Sequence, residues 1–393
     1  MTFLNQTEQI AACIGFILMW AVHLWYSLSY LRLLHEQKRQ IDDNKATAIS
    51  NETAKTVGIS IVLPVFNAED QLAHHLPLLL NQEYERFEII VVDQNSTDGT
   101  LALLEKFEKQ YDHLRHTFIP DSARYVSKHN LALTLGIKSA HYEWILIGSA
   151  DCVPSSSCWL KSMAVFLTSD KDIVFGYTHF ALDKTPKKEM FIQFYRQMYS
   201  LSWCMDHPAY HASLCNLFYR KSCFIQNNGF ASCCNLNYGG EEILVNHQSN
   251  HQNTAVCLLS DTFLMREFPG RKQCKQERIF ELETAHYLNR KMMYRLRFFA
   301  GLLIPWLFYL CFLVGILGSI IGQNWILTGV YFVLTLVLCG IKDKWYHQTS
   351  RAFQAGTCHV IFHWFELALP IWLAVAWIKH YFTDKKLFYK KYI

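Results

Sequence analysis

Acidic residues stand at, or shortly after, the ends of two apolar runs in the middle of the chain. Asp93 closes the run Phe87–Asp93, and Asp151 follows the run Tyr142–Gly148. Carboxylate oxygens are the ligands that hard divalent cations prefer. Asp151 is therefore a candidate ligand for a cation that binds a diphosphate and neutralises the charge developing on a leaving phosphate. Asp93 is a candidate acceptor of hydrogen bonds from a ribose or a base.

Two adjacent carboxylates, Glu241 and Glu242, follow a glycine pair and precede an apolar segment. Transfer of a group to a hydroxyl needs a base, and neighbouring carboxylates in unlike environments differ in pKa. One of the two is therefore a candidate general base. The alternative is a helix start, where acidic side chains favour the helix dipole, and the local sequence alone favours that alternative.

At two further positions, a structural interpretation and a functional one are equally well supported. Asp98-Gly99 is a turn pair before Thr100, so Asp98 either begins a helix or contacts a ligand. Lys128 precedes a predicted helix and either meets a phosphate or is a solvated surface lysine.

Apolar runs alternate with helical periodicity between residues 58 and 148. Strands are predicted at Gly58–Pro64, Phe87–Asp93 and Tyr142–Gly148, and helices at Ala68–Gln82, Thr100–Tyr111 and Asn130–Ser139. This alternation predicts an α/β fold with a mostly parallel sheet. Ligands bind beyond the carboxyl ends of such strands. Three polar clusters fall at that edge: Pro64–Asn67, Asp93–Asp98 and Ser149–Asp151.

The composition indicates two kinds of segment, apolar segments at the ends of the chain and an ordinary domain between them. Its 393 residues exceed one typical domain. Hydrophobic residues make up 51% and charged residues 18%, against about 25% charged in ordinary domains, and the apolar excess lies at both ends. A net charge of +4 does not indicate nucleic-acid binding. The 13 cysteines include no CxxC pair, which favours free thiols in a reducing compartment.

Three segments are long and apolar enough to cross a bilayer: Ile10–Leu31, Phe298–Ile321 and Trp325–Ile341. Basic residues follow the first, precede the second and follow the third. The positive-inside rule therefore predicts residues 1–9 outside and the middle of the chain in the cytoplasm. We expect residues 32–56 to form a linker and residues 57–290 a cytoplasmic domain at the inner (plasma) membrane.

The last apolar stretch, Cys358–Ile378, carries Glu366 and Pro370 and precedes a basic tail, residues 379–393. If it crossed, the tail would lie outside, against the positive-inside rule. An interfacial or re-entrant helix would keep the tail inside. The sequence leaves these alternatives open. Glu366 is either a functional residue in the membrane or a residue at its interface.

Together these segments resemble family 2 glycosyltransferases, whose fold is the single nucleotide-binding α/β domain called GT-A. The matching segments are Ile59–Asn67 (ISIVLPVFN), Phe87–Thr100 (FEIIVVDQNSTDGT), Ser127–Pro154, Asn216–Ser222, Asn228–Phe230 and Gly240–Glu242. Ser127–Pro154 is the most specific of them, because it resembles the segment that leads into the metal-binding Asp-x-Asp loop. The resemblance covers roughly Val57–Glu242, and the architecture is similar to that of bacterial envelope-polysaccharide transferases.

The resemblance implies a nucleotide-sugar site formed by one set of residues: Pro64, Val65, Asn67, Asp93, Asn95, Lys128, Ser149 and Ala150. It implies that Asp151 binds Mg²⁺ or Mn²⁺ and that Glu242 or Glu241 is the base. The implied reaction is inverting transfer of one sugar from a nucleotide-sugar donor to an acceptor, expected to be lipid-linked, in envelope polysaccharide or glycolipid assembly.

The chain departs from the family pattern at several positions. Ser149 replaces the first acid of the Asp-x-Asp loop, Gln94 stands where an acid or Asn is common, and Glu-Glu replaces Glu-Asp. Gln273–Arg278 is a degraded version of the Gln-x-x-Arg-Trp motif, which favours single transfer over chain extension. Ser149 also motivates the alternative of a catalytically impaired scaffold in a polysaccharide-assembly complex. A transporter is disfavoured, because the spans show no internal repeat.

The region Gly176–Cys215 contains no sequence motif that identifies the acceptor. Within it, Met190–Trp203 is rich in aromatic residues. It is interpreted either as a helix on the membrane surface or as a buried core helix.

Overall fold

The computed structural model describes residues 6–47, 57–119, 127–211, 215–289, 291–356 and 361–388. The chain divides into two compact units. The sheet unit comprises Gln37–Thr185, Tyr199–Lys291 and Ala376–Ile393. The helical unit comprises Met1–Glu36, Pro186–Met198 and Met292–Val375.

The described strands are β1 (Ile59–Val65), β2 (Phe87–Asp93), β3 (Leu114–Phe118), β4 (Trp144–Ile147), β5 (Cys152–Pro154), β6 (Ile173–Phe175), β7 (Thr178–Phe180), β8 (Leu217–Arg220), β9 (Thr254–Val256) and β10 (Leu264–Arg266). The described α-helices are α1 (Gln6–Thr47), α2 (Glu69–Leu80), α3 (Thr100–Glu108), α4 (Lys128–Ser139), α5 (Trp159–Ala164), α6 (Lys187–Cys204), α7 (Lys221–Gln226), α8 (Gly240–Gln248), α9 (Arg271–Thr284), α10 (Lys291–Ile321), α11 (Trp325–Ala352) and α12 (Ile361–Phe382).

The main sheet has seven strands in the order β3-β2-β1-β4-β8-β6-β9. Strand β1 pairs in parallel with β2 and β4, and β2 pairs in parallel with β3. Strand β8 runs antiparallel to β4 and β6. The central strands are buried along nearly their whole length, as apolar strands covered on both faces must be. The predicted α/β fold with a mostly parallel sheet is confirmed.

The predicted element bounds differ from the observed ones by a few residues. Helix α4 begins at Lys128, two residues before the predicted Asn130, because Ser127 caps it by accepting a hydrogen bond from the Asn130 backbone N. Asp98 accepts hydrogen bonds from the Thr100 backbone N (3.1 Å) and Oγ1 (2.6 Å). Those bonds support the interpretation of Asp98 as a helix-start residue.

The sheet unit also contains a second sheet of three short strands, in the order β5-β10-β7. Strand β5 pairs antiparallel with β10, which sets Cys152 opposite Arg266. This register brings a residue 115 positions away beside Asp151. This sheet was not predicted from the sequence, because three-residue strands carry too little periodicity to be recognised.

Four helices are long and apolar enough to cross a membrane: Gln9–Asp43, Met292–Ile321, Trp325–Ala352 and Ile361–Phe382. In the helical unit, Phe16 of α1 packs against Phe308 of α10 and Tyr331 of α11, with ring centroids 5.6 and 4.7 Å apart. Helix α1 continues to Thr47, well into the segment predicted to be a linker, and residues 48–56 lie outside the described part.

A buried ion pair lies inside the helical unit. Lys342 Nζ donates to Glu366 Oε2 and lies 2.6 Å from His23 Nε2. Charged groups in apolar surroundings are stable only when paired. Glu366 therefore joins α12 to α11 and α1.

Candidate active site

The loops that follow β1 and β2 are bound to each other. Asp93 accepts hydrogen bonds from the Ser96 backbone N (3.1 Å) and Oγ (2.5 Å). Asn67 donates through its backbone N to Ser96 Oγ (2.9 Å), and its Oδ1 accepts from the Thr97 backbone N (2.8 Å). Asn67 and Asn95 have positive φ values, 48° and 69°, which asparagine tolerates better than most residues. The predicted nucleoside-contacting positions on these two loops therefore lie side by side.

Lys128 lies at the start of α4, beside the end of β2. Its Nζ donates to the carbonyl oxygen of Gln94 at 3.4 Å. The ammonium group is thus held next to the loop that follows Asp93.

Asp151 lies at the end of a three-residue ionic network. Ser149 Oγ donates to Asp151 Oδ1 (2.5 Å), and Arg266 Nε donates to Asp151 Oδ2 (2.7 Å). The other two guanidinium nitrogens of Arg266 donate to Glu277, at 3.1 and 2.7 Å. Burial alone would raise the pKa of Asp151, but the Arg266 charge and the hydrogen bonds outweigh it and lower that pKa. Asp151 is therefore ionised at neutral pH.

The donor set around Asp151 fits a hard divalent cation. A carboxylate has about four acceptor sites; Ser149 Oγ and the Cys152 thiol donate to Oδ1, and Arg266 donates to Oδ2. Glu277 balances the charge of Arg266, so the network keeps one net negative charge. Magnesium is commonly held by one or two carboxylates together with substrate phosphates and water. Asp151 fits this role, with the remaining ligands coming from a diphosphate and solvent.

Two cysteines adjoin Asp151 but do not suit such a cation. The thiols of Cys152 and Cys215 and a carboxylate oxygen of Asp151 lie within 4.8 Å of one another. Burial, followed by the neighbouring Cys215 and Asp151, raises the pKa of Cys152 well above its ordinary value. A protonated thiol is a poor ligand for a hard cation. The ligands expected for such a cation here are therefore oxygen atoms.

Glu241 and Glu242 occupy the first turn of α8, directly after Gly239, whose φ of +86° favours glycine. Glu241 Oε1 lies 2.6 Å from His129 Nε2, on α4. Burial opposes charge on both groups, but their mutual attraction prevails and lowers the pKa of Glu241 while raising that of His129. Glu242 lies 3.5 Å from His211 Nδ1.

Both glutamates are buried, with exposed fractions of 4% and 2%. A helix start accounts for acidic residues in solvent, since the dipole acts on the exposed first turn. Both glutamates do lie in the first turn of α8, as the helix-start alternative predicts. That alternative does not explain why they are buried beside histidines, and the role of one of them as a base stays a prediction.

Tyr238 lies just before α8, and its ring stacks on Phe280 of α9 with ring centroids 5.7 Å apart. Burial, and after it the charges of Glu277, Glu281 and Glu242, raises the pKa of Tyr238 well above the ordinary 10, while Arg266 opposes them. Charges from the Asp151 network and from the acid pair thus both act on this phenol.

Three residues of this site were not identified from the sequence. His129 adjoins Lys128, so its position in the same helical turn was an available signal. Glu277 lies within Gln273–Arg278, the stretch interpreted only as a degraded motif. Arg266 gave no local signal, because β10 is three residues long.

The fold is that of a GT-A α/β domain. Residues 60–235, just under half of the chain, match the family described as Glycosyl transferase family 2. The α/β domain is therefore similar to the members of that family.

Several glycosyltransferases are similar to parts of this domain. Chondroitin synthase of Pasteurella multocida (strain Pm70) is 31% identical over 121 residues, which cover 30% of this chain and 12% of that protein. Poly-beta-1,6-N-acetyl-D-glucosamine synthase of Staphylococcus epidermidis is 32% identical over 110 residues, covering 28% and 26%. The matched segments thus span about a quarter or less of these relatives' own lengths.

One solved structure resembles most of the chain. It is the mannosyltransferase PcManGT from Pyrobaculum calidifontis in complex with GDP-Man and Mn²⁺. Its TM-score is 0.50 at 16% identity, over 87% of this chain and 96% of that one. At this identity the likeness supports the fold.

Proposed function

We propose that the protein transfers a single sugar from a nucleotide-sugar donor to a lipid-linked acceptor, with inversion at the anomeric carbon. The observation that carries the proposal is the position of Asp151, whose carboxylate lies beyond the end of β4 and is held by Ser149 and Arg266. The relatives that synthesise chondroitin and poly-beta-1,6-N-acetyl-D-glucosamine support a role in envelope polysaccharide or glycolipid assembly.

The donor binds at the carboxyl edge of β1, β2 and β4. Asp93, with Pro64, Val65, Asn67 and Asn95, contacts the nucleoside in this proposal. Lys128 lies close enough to the end of β2 to meet the diphosphate. Ser149 and Ala150 line the path to Asp151.

Asp151 would hold Mg²⁺ or Mn²⁺. The PcManGT structure contains Mn²⁺ together with its donor, which supports a divalent cation in this fold. A bound cation would offset the negative charge that develops on the leaving nucleoside diphosphate. Ser149 and Arg266 orient the Asp151 carboxylate for this contact.

Glu242 is the better base of the pair. Glu241 is tied to His129 at 2.6 Å, and the bond that lowers its pKa also weakens it as a proton acceptor. The contact of Glu242 with His211 is longer, 3.5 Å. Glu242 accepts the acceptor's hydroxyl proton while that oxygen bonds to the anomeric carbon. The bond from that carbon to the phosphate oxygen breaks on the opposite face.

The test is a transfer assay with the full-length protein in detergent, using a panel of nucleotide sugars and a membrane-lipid extract as acceptor source. We expect turnover with at least one donor, and loss of turnover in Asp151→Asn, which keeps the shape but not the charge. Glu83→Gln, an exposed acid away from the site, is the control. Full activity in Asp151→Asn would contradict the cation assignment, and absence of any nucleotide binding by calorimetry would favour a scaffold.

The proposed location is the inner (plasma) membrane, with the GT-A domain in the cytoplasm. Four candidate spans and the basic residues beside them support it. A protease added to intact spheroplasts should leave the domain uncut.

A further inference from the structure

Two histidines and a buried glutamate form a further cluster of metal-ligating groups in the sheet unit. We propose that Glu283, His286 and His380 bind one divalent transition-metal ion of the Zn²⁺ type. A carboxylate oxygen of Glu283 and one ring nitrogen of each histidine lie within 4.8 Å of one another. All three residues belong to the sheet unit. The proposal uses no group assigned to the transfer reaction, so it does not rest on that reaction.

The end of α9 supplies two of the three ligands. Glu283 lies in its last turn, and the His286 backbone N donates to the Glu283 carbonyl oxygen at 3.0 Å. Side chains three positions apart on a helical turn lie side by side, and Glu-x-x-His is a spacing that metal sites on helices use. A carboxylate and an imidazole at this spacing can therefore reach one ion.

The third ligand comes from a distant part of the chain. His380 lies in the last turn of α12, 97 residues from Glu283, and its Nε2 is 2.8 Å from Glu283 Oε2. The ring centroids of His286 and His380 are 5.8 Å apart, and the two rings are tilted by 31°. The Glu283 carboxylate therefore has two imidazole rings beside it.

The separations between the three ligand atoms suit a common ion. Tetrahedral zinc binds nitrogen and oxygen at about 2.0–2.2 Å, which places two of its ligand atoms about 3.4 Å apart. The Glu283–His380 contact is shorter, 2.8 Å, and the other separations are at most 4.8 Å. Movements of about 1 Å in each side chain would therefore bring the three atoms to bonding distance from one ion.

This ligand set selects a different ion from the one proposed at Asp151. Imidazole nitrogen suits zinc and its neighbours among the transition metals, whereas Mg²⁺ takes oxygen ligands. Glu283 is buried, and carboxylates in such surroundings are stable when they are paired or bound to a metal. His286 is exposed, so an ion can enter from solvent and a water can complete its coordination.

The cluster adjoins the loop that precedes α8. Thr284, the residue after Glu283, packs against Gly239, where an added Cβ would collide with the threonine hydroxyl. On the other side, the Asn237 backbone N donates to the carbonyl oxygen of Phe388 at 3.0 Å. An ion that joins the end of α9 to the end of α12 would therefore hold two segments that contact this loop and stabilise the start of α8.

Metal analysis of the full-length protein in detergent tests the site. The protein is purified through an affinity tag without histidine, incubated with Zn²⁺ in excess Mg²⁺, and freed of unbound ions by gel filtration. We expect a single zinc ion per chain. His286→Gln and His380→Gln should each weaken zinc binding by more than about 100-fold, because even partners outside the coordination sphere contribute about 10- to 100-fold.

His74→Gln is the matched control, because His74 is an exposed histidine of α2. This variant should bind zinc as the wild type does. Unchanged binding in His286→Gln and His380→Gln would show that the ion is held elsewhere and would overturn the proposal. A wild-type protein that retains no zinc would overturn it as well.

His286→Gln also separates a metal site from a simple ion pair, because it leaves the Glu283–His380 contact in place. Zinc should raise the thermal unfolding midpoint of the wild type and not that of His286→Gln, since a ligand stabilises the folded state that binds it. Co²⁺ in place of zinc should give visible absorption bands that His286→Gln lacks. If both proteins are folded and zinc changes neither midpoint, the cluster is only an ion pair.

Asp151→Asn distinguishes this proposal from the proposed function. The variant should lose transfer activity and still retain its zinc ion. Loss of the zinc in Asp151→Asn would place the ion at Asp151 and contradict the site at Glu283. Conversely, a wild-type protein without transfer activity would still be expected to bind zinc through the three residues.

Discussion

At the scale of single residues, the adjacent carboxylates Glu241 and Glu242 have different surroundings. Glu241 forms a close ion pair with His129, and Glu242 has a longer contact with His211. Two acids that look alike in the sequence are therefore expected to differ in what they do. Glu241 bonds α8 to α4 through His129, and Glu242 is the proposed base.

This division predicts unequal effects of neutralising each acid. Glu242→Gln should lower turnover by roughly 10²- to 10⁴-fold, the usual contribution of a general base, with nucleotide binding retained. In Glu241→Gln the main effect should be a lower thermal unfolding midpoint, and the loss of turnover should be smaller than in Glu242→Gln. Turnover assays, calorimetry and thermal scans on both variants decide the point. A larger turnover loss in Glu241→Gln would reverse the assignment.

The Glu241–His129 pair predicts a stability window in pH. The pKa of Glu241 is lowered from 4.5, so its contribution is lost as pH falls through the lowered value. The pKa of His129 is raised from 6.5, so its contribution is lost as pH rises through the raised value. The difference in unfolding midpoint between wild type and His129→Gln should be greatest between these limits. A difference that does not change with pH would argue against the ion pair.

At the scale of elements, the site depends on the close approach of α8 to α4. A Cβ added at Gly240 would collide with Asn130 Oδ1 and the Phe230 ring, both well packed. Asn130 Nδ2 is itself bound to the carbonyl oxygens of Cys233 and Leu236. The α8 start therefore has little room to shift without moving the acid pair.

Gly240→Ala is expected to separate α8 from α4 and to lower turnover, since a misplacement near 1 Å can cost about 10²-fold. The protein should still fold, because the sheet does not depend on this contact. Gly329→Ala in α11 is the matched control, because a Cβ there meets nothing within 4 Å. Equal turnover in both variants would show that the spacing is not critical.

At the scale of the whole molecule, the helical unit is held by an ion pair as well as by apolar packing. Lys342 and Glu366 come from α11 and α12 and are both buried. Removing one partner from such a pair leaves a charge without compensation and typically costs about 3–5 kcal/mol.

Lys342→Met should therefore reduce the amount of monodisperse protein recovered in detergent. The double variant Lys342→Met with Glu366→Gln should recover much of it, because neither charge remains. Size-exclusion profiles at equal expression provide the measurement. A double variant no better than the single one would mean that the pair itself, and not the orphaned charge, determines assembly.

The sequence by itself determined the elements whose signals are local. Strands β1, β2 and β4 are short apolar runs that end in polar residues, and this local pattern predicts both the parallel sheet and the edge where Asp93 and Asp151 lie. The apolar spans were likewise determined by composition, because a lipid core requires about 20 apolar residues.

Only the tertiary structure decided which residues meet across long separations. Arg266 reaches Asp151 over 115 residues, and His129 reaches Glu241 over 112. Those contacts depend on the register of β10 with β5 and on the packing of α8 on α4, which no local pattern encodes. The sequence left the last apolar helix open between crossing and lying at the interface, since length and composition suit both. The tertiary structure bonds the end of that helix to α9, where His380 Nε2 lies 2.8 Å from Glu283 Oε2; the two residues are 97 positions apart, and no local pattern predicts their contact.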